Sequence, residues 1–346
     1  MCPPAIPDVP VIDISPLRGQ PGDPHRVAAE IARACREHGF FYIANHGVDD
    51  VLQTRLEILS RQFFDQPLET KMQIRMERGG RAWRGYFPVG GELTSGKPDL
   101  KEGIYFGAEL PDDHPLVRDG TPLHGSNLFP PEMPEFRETV LRYMEAMTAV
   151  GHIVLTGIAM SLGLNRSYFE EHYTREPLIL FRIFNYPGDP AANVGEARWG
   201  VGEHTDYGLL TILKQDATGG LQVKSSSGWI DAPPISATFL CNIGDMLDRM
   251  TAGRYRSTPH RVQNVTSRDR LSFPFFFDPN FNAKIRPIAL PDDTAIAADR
   301  RDRWDGASVH EFTGTYGDYV LRKVSKVFPQ LRRTHLATAK DDGGGI

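Results

Sequence analysis

The sequence predicts an α+β chain that is mainly β, and three observations carry that expectation. β-branched and aromatic runs recur at short intervals after Pro177. The 33 glycines and 27 prolines supply more turns than a helical protein needs. A single strongly periodic helical stretch stands just before the β-rich half, placed to support it. Seven runs read as strands: LILFRIFNY (178–186), GLLTIL (208–213), GLQVK (220–224), GWIDA (228–232), ATFLCNI (237–243), HRVQNV (260–265) and LSFPFFFD (271–278). Short strands this close together predict an antiparallel sandwich or barrel.

The earlier elements follow in chain order. VPVIDI (9–14) alternates as a strand does. From His25 to His38 the residues Val27, Ile31, Ala34 and Cys35 fall on one helical face and Arg26, Glu30, Arg33 and Glu37 on the other. Gly39 ends that helix, and FFYIANHG (40–47) reads as a buried strand closing on a turn. A second amphipathic helix over 50–64 carries Val51, Leu52, Leu59 and Phe63. From Arg78 to Pro134 glycine and proline interrupt every pattern, which predicts an irregular wall or lid. Residues 135–163 return to a strong helix, with Phe136, Val140, Tyr143, Met147, Val150, Val154 and Ile158 spaced by three or four. Residues 312–328 predict a last helix, and KDDGGGI (340–346) a frayed tail.

Composition narrows the function classes. With 39 Lys and Arg against 44 Asp and Glu the chain carries a formal charge of −5, and no basic block stands out. Such a surface repels phosphate backbones and anionic lipid, so no nucleic-acid or membrane partner is expected. No apolar run reads as long as the ~18–20 residues that span a bilayer, and the start MCPPAIPDVP has no secretory pattern. Three scattered cysteines, Cys2, Cys35 and Cys241, exclude a cysteine-built zinc or disulfide framework. A reduced, cytoplasmic protein acting on a small molecule is the expectation.

Of eleven histidines, only His204 has an acid two residues on, in GEHTDYG. Residues i and i+2 of a strand project to one face, so His204 and Asp206 can reach one ion together. His260, in STPHRV at the start of a later strand, is the best candidate for a third ligand. Two imidazoles and one carboxylate on one face of an octahedron leave three positions open, the facial triad of non-haem Fe(II) oxygenases. Ten residues beyond His260, Arg270 and Ser272 share a strand face, and a guanidinium beside a hydroxyl suits the far carboxylate of a dicarboxylic acid.

The order His204-Thr-Asp206, His260, Arg270-x-Ser272 resembles the isopenicillin N synthase-like branch of the Fe(II)/2-oxoglutarate-dependent dioxygenases. The likeness extends to VPVIDIS (9–15), HGFFYIANHGV (38–48), NYPG (185–188), TAGRYRSTPHRV (251–262) and YGDYVLRKVSKVFP (316–329). It implies a double-stranded β-helix, or jelly roll, backed by helices. In that frame 1–134 would be the N-terminal region and loop wall, 135–176 a supporting helical segment, 177–290 the jelly-roll core, and 291–346 a C-terminal helical region and tail. It implies His204, Asp206 and His260 as Fe(II) ligands, Arg270 and Ser272 as the 2-oxoglutarate clamp, and Tyr186 as a hydrogen-bond donor to that cosubstrate. With O2, such a site hydroxylates, desaturates or cyclises a small molecule and releases succinate and CO2. Halogenation is not expected, because Asp206 fills the place a halide would need.

Other motifs have a plain reading beside the functional one. Arg84 and Tyr86, in RAWRGYF, are candidates for the substrate wall or for a loop that covers the core. ELTSGKPDLKE (92–102) resembles a segment of bacterial and fungal members, and its Lys and Glu also suit a solvated loop. Asn242-Ile-Gly-Asp245 reads as the turn between two strands in preference to a support for a ligand. Cys241 reads as an apolar strand residue. Three rivals stand beside the dioxygenase. An oxidase with the same triad but no 2-oxoglutarate is one, and a zinc hydrolase, disfavoured by the absence of an HExxH helix, is another. A metal-free jelly-roll binding protein would leave three ligands unexplained.

Overall fold

The predicted strand runs pair into two sheets with one chamber between them. The computed structural model describes residues 9–94, 96–188, 199–263, 267–290 and 309–329. The segment bearing Cys2, the last residues of the run 260–265 and the tail 340–346 lie outside the described residues.

In chain order the strands are β1 (Val11–Asp13), β2 (Phe40–Ala44), β3 (Gly85–Phe87), β4 (Leu93–Thr94), β5 (Lys97–Pro98), β6 (Glu102–Gly107) and β7 (Leu178–Tyr186). After them come β8 (Trp199–His204), β9 (Leu210–Gln215), β10 (Leu221–Ser225), β11 (Gly228–Asp231), β12 (Thr238–Ile243), β13 (His260–Gln263) and β14 (Arg270–Asp278). The helices are α1 (Pro24–Glu37), α2 (Asp50–Phe64), α3 (Leu68–Lys71), α4 (Pro115–Arg118), α5 (Pro134–Ser161), α6 (Tyr168–His172), α7 (Asp245–Met250) and α8 (Tyr316–Val327). The major sheet has the order β1-β2-β12-β9-β14-β7-β6-β3 and the minor sheet β11-β10-β13-β8. Every neighbour is antiparallel except β1 with β2, which are parallel. This is the jelly roll with helices behind it.

The helices form where capping and periodicity agree. Asp23 caps α1 by accepting from the His25 amide, Pro24 fits the first turn without losing a needed donor, and Gly39, at φ 68°, releases the chain into β2. The apolar face expected of α1 is buried throughout. On α2, Leu59 and Phe63 are buried but Val51 is 73% exposed, because the stripe begins a turn later than its first apolar residue.

α5 buries all seven of its predicted core positions. It is also long and apolar enough, by length and composition, to cross a bilayer, which corrects the expectation that no such run exists. Half of that apolar window is buried inside the protein. There Gly151 lets the helix approach the Phe277 ring of β14, where an added Cβ would stand 2.7 Å from ring carbons.

The stretch 78–134 is not only irregular wall. β3 and β6 extend the major sheet through β7 and bring Glu102, Gly103 and Tyr105 level with Asn185, Phe184 and Arg182. The sequence signal is weak because β3 is only three residues long and both strands are rich in glycine. β8 is a further strand that the sequence runs do not include, although it carries His204.

Gly151→Ala should lower stability by about 1–3 kcal/mol, the usual range for overpacking a closed core. A urea denaturation midpoint equal to that of the wild type would show that α5 does not bear on β14 as closely as its spacing indicates.

Candidate active site

His204 and His260 come together by strand pairing, since they are cross-strand partners of β8 and β13. Their ring centroids stand 4.2 Å apart. β8 ends at His204, so Asp206 reaches them from the loop beyond the strand and not by the i, i+2 alternation expected from the sequence. Its Oδ1 lies 3.8 Å from His204 Nε2 and 3.7 Å from His260 Nε2. One ligand atom from each residue falls within 4.8 Å of the others, and among the described residues this is the one such cluster.

The carboxylate is divided between two tasks. Asp206 Oδ2 accepts from Thr211 Oγ1 at 2.5 Å and from Asn242 Nδ2 at 2.7 Å, which leaves Oδ1 turned to the imidazoles. Asn242 therefore lies within β12, opposite Thr211, and the turn reading of its motif is overturned. Burial alone would raise the Asp206 carboxyl, but the two histidines and the two donors outweigh it and hold the group below the ordinary carboxylate range. Burial, with His204 beside it, lowers His260 to about 4, so this ring is neutral near pH 7 with a lone pair to offer. The neutral His260 nitrogen and an ionised oxygen fixed from behind, with the His204 imidazole beside them, fit a divalent iron.

Arg270, Ser272, Pro274, Phe276 and Asp278 alternate along β14 into the same chamber, which has a volume of about 520 Å³. Arg270 is 1% exposed. Its Nε donates to the Gly219 carbonyl at 2.5 Å, while both terminal nitrogens are buried without a hydrogen-bond partner. An always-charged group out of water with two donors unanswered is costly unless an anion arrives. A carboxylate meets it with two oxygens, so the site fits one end of 2-oxoglutarate. Ser272 and Tyr186 line the same chamber, and the Tyr186 ring centroid is 4.8 Å from the guanidinium carbon.

Arg84 and Tyr86 are corrected. Tyr86 pairs with Ile104, and alternation turns it with Glu102 to the far side of the sheet from Tyr105. There its hydroxyl donates to Glu102 Oε2 at 2.6 Å, joined by Lys71 at 2.8 Å and, on Oε1, by Asn185 at 3.0 Å. Arg84 is buried against the carbonyls of Ala108, Gly125 and Leu123, and burial lowers it to about 9. Neither residue lines the chamber.

Residues that the sequence suggested were solvated line it instead. Lys101 is 2% exposed, with Nζ 2.6 Å from Asp99 Oδ2 and 3.0 Å from Glu92 Oε2. Burial opposes its charge, but Glu92 and Asp99 keep it above the ordinary lysine range. Glu92 Oε1 accepts from Tyr105 at 2.5 Å, and no hydrogen bond is directed at Oε2. Arg182 lies over the Tyr105 ring, 3.4 Å from its centroid. The early signal was the likeness of ELTSGKPDLKE (92–102) to a segment of bacterial and fungal members, although its Lys and Glu also suit a solvated loop.

Comparisons with known proteins agree with this geometry. Residues 9–132 match the family described as the N-terminal region of the non-haem dioxygenase in morphine synthesis, and residues 176–279 match the 2OG-Fe(II) oxygenase superfamily. The chain is 51% identical to a probable iron/ascorbate oxidoreductase of Dictyostelium discoideum, over 96% of this chain and 98% of that one. It is 42% identical to a 1-aminocyclopropane-1-carboxylate oxidase of Dictyostelium mucoroides (93% and 95% covered) and 37% identical to a homoarginine-6-hydroxylase of Glycine max (93% and 98%). The solved structure of a full-length Neurospora crassa protein in complex with alpha-KG and 5-formyluracil superposes with a TM-score of 0.74 at 28% identity, covering 94% of this chain and 99% of that one.

Two substitutions separate binding from support. Arg270→Ala should weaken 2-oxoglutarate binding by roughly 10²–10³-fold, the ~3–5 kcal/mol lost when one partner of a buried ion pair is removed. Calorimetry on the Mn(II)-loaded protein measures it, and Arg270→Lys should recover only part because an ammonium lacks the planar fork. Arg84→Ala should cost stability, on the order of 3 kcal/mol for three stranded carbonyls, and leave KM for 2-oxoglutarate unaltered. A changed KM with unchanged chemical denaturation would restore Arg84 to the substrate wall.

Proposed function

The chain belongs to the isopenicillin N synthase-like branch of the Fe(II)/2-oxoglutarate oxygenase superfamily, and on that premise we propose that its substrate is a small zwitterionic amino acid, held for oxidation at a C–H bond. The enzyme is an Fe(II)- and 2-oxoglutarate-dependent oxygenase. We assign His204, Asp206 and His260 to the iron and Arg270 with Ser272 to the far carboxylate of 2-oxoglutarate. When bound, iron, 2-oxoglutarate and O2 together supply the oxidising power, with succinate and CO2 as co-products.

The protein's part is positional. Thr211 and Asn242 hold Asp206 so that one oxygen faces the metal position. Arg270 fixes the cosubstrate at one end of the chamber and Tyr186 walls it. Phe40, Val201, Leu221 and Val262 give the chamber part of its apolar lining, which disfavours water there.

Glu92 carries the substrate reading. An ionised carboxylate offers about four acceptor sites, and here one oxygen serves Tyr105 while the other has only the ion contact with Lys101. An ammonium or guanidinium in the chamber would complete it. Lys323, which lines the same chamber from α8, offers the opposite charge to a substrate carboxylate. A neutral, apolar substrate would bring no donor to Glu92 Oε2, whose contact is the ion pair with Lys101 at 3.0 Å. The names of two relatives, a 1-aminocyclopropane-1-carboxylate oxidase and a homoarginine-6-hydroxylase, point to amino acids as well.

A second reading has its own support, because relatives at 51% and 42% identity are named as an iron/ascorbate oxidoreductase and an oxidase. Product stoichiometry separates the two. A panel of free amino acids, their amides and decarboxylated amines, and uracil bases, assayed by succinate release, should give the highest turnover with an intact amino acid and one succinate per O2. Glu92→Gln should raise KM for that amino acid about tenfold or more, the ~1.5–3 kcal/mol of a hydrogen bond to a charged group, with 2-oxoglutarate affinity retained. A best substrate without charge, or an unchanged KM in Glu92→Gln, would refute the amino-acid assignment. Oxidation at full rate without 2-oxoglutarate would favour the oxidase.

A further inference from the structure

The loop that carries Asp206 is gripped from both sides. On one side stand the backbone amides around the start of α7: Asp245 N–H donates to the Asp206 carbonyl at 2.8 Å, Met246 N–H to Gly208 at 3.0 Å and Gly244 N–H to Leu209 at 3.1 Å. On the other side the Asp278 carboxylate presses against Gly208 so closely that a Cβ there would overlap Oδ1. No residue but glycine fits between them.

Both sides are held by one element. Tyr316 and Tyr319 lie three apart in the first turns of α8 and so share a face. The Tyr316 hydroxyl donates to Asp278 Oδ2, and the Tyr319 hydroxyl donates to Asp245 Oδ2 at 2.6 Å. Tyr316 and Asp245 are fully buried, Asp278 is 2% exposed and Tyr319 6%. The helix start is itself fixed by the reciprocal cap between Thr315 and Asp318, and by the Tyr316 and Gly317 amides donating to Ala283 and Phe281. The rest of α8 lines the chamber with Lys323, Val324 and Val327. This helix lies outside the matched oxygenase region, which ends at residue 279.

We propose that Tyr316 and Tyr319 are positioning residues for the metal site: through Asp278 and Asp245 they set the loop that aims Asp206, so α8 is part of the metal-binding apparatus as well as a chamber wall. The inference rests on the assignment of His204, Asp206 and His260 as metal ligands.

The test uses the full chain and Co(II) alone, whose visible absorption reports ligand geometry without turnover. Tyr316→Phe and Tyr319→Phe, singly and together, keep the rings and remove only the hydroxyls. Each single variant should weaken Co(II) binding several-fold and the double variant about tenfold, the lower end of the 10–100-fold typical of groups that orient ligands, with an altered absorption band. Tyr255→Phe is the control. It removes an equally buried hydroxyl, which meets Ser161 Oγ at 2.8 Å and does not line the chamber, and it should leave affinity and band unchanged.

Co(II) affinity and spectrum identical to wild type in both single variants would overturn the proposal. Equal weakening in Tyr255→Phe would overturn it too, by reducing the effect to general stability. Wild-type protein that binds no Co(II) would instead remove the metal-site assignment itself, a failure distinct from either.

Discussion

A carboxylate taken out of water must have both oxygens answered, and at Asp206 the protein answers only one. Thr211 and Asn242 take Oδ2, and the geometry of β9 and β12 makes that bond possible by placing the two residues opposite each other. Oδ1 is left to the histidines and to whatever cation sits among them. The pairing of β8 with β13 brings the second imidazole alongside the first, and the loop after β8 is clasped so that the carboxylate cannot turn away. The same imbalance appears at Arg270, where two buried donors face the chamber without acceptors. Each site turns a charged atom of the protein into the chamber, and the groups that would complement them have opposite charge.

With iron and a dicarboxylate assigned as those groups, the chamber is organised along β14. Its alternation places Arg270 at one end and Asp278 at the other, with Ser272, Pro274 and Phe276 between. β7 runs beside it and sets Tyr186 opposite Arg270. Tyr105 of β6 and Lys101 just before that strand add a polar wall, braced by Glu92 and Asp99. The wall is polar but buried, and an ionic substrate of the kind proposed would replace there the hydration that burial has removed.

Much of this was legible in the sequence, for identifiable reasons. His204 and Asp206 stand two apart, Arg270 and Ser272 share a strand face, and the apolar spacing of α1 and α5 is strong enough to survive any tertiary context. What escaped depended on pairing between distant segments. Asn242 looks like a turn residue until β12 is set against β9. Tyr86 and Arg84 look like pocket residues until the register of β3 on β6 turns Tyr86 away. Glu92 and Lys101 look solvated because opposite charges conceal burial from composition, each being the other's compensation. β8 escaped for a related reason, since WGVGEH has two glycines and too little β-branched content to announce a strand.

The account turns on one chamber holding the metal and the cosubstrate in fixed relation. Diffraction from crystals grown anaerobically with Fe(II) and 2-oxoglutarate, with anomalous data at the iron edge, tests it directly. The expected result is a single iron peak within bonding distance of His204, Asp206 and His260, with the far carboxylate of 2-oxoglutarate paired to Arg270. An iron peak elsewhere, or a cosubstrate whose far carboxylate avoids Arg270, would contradict it.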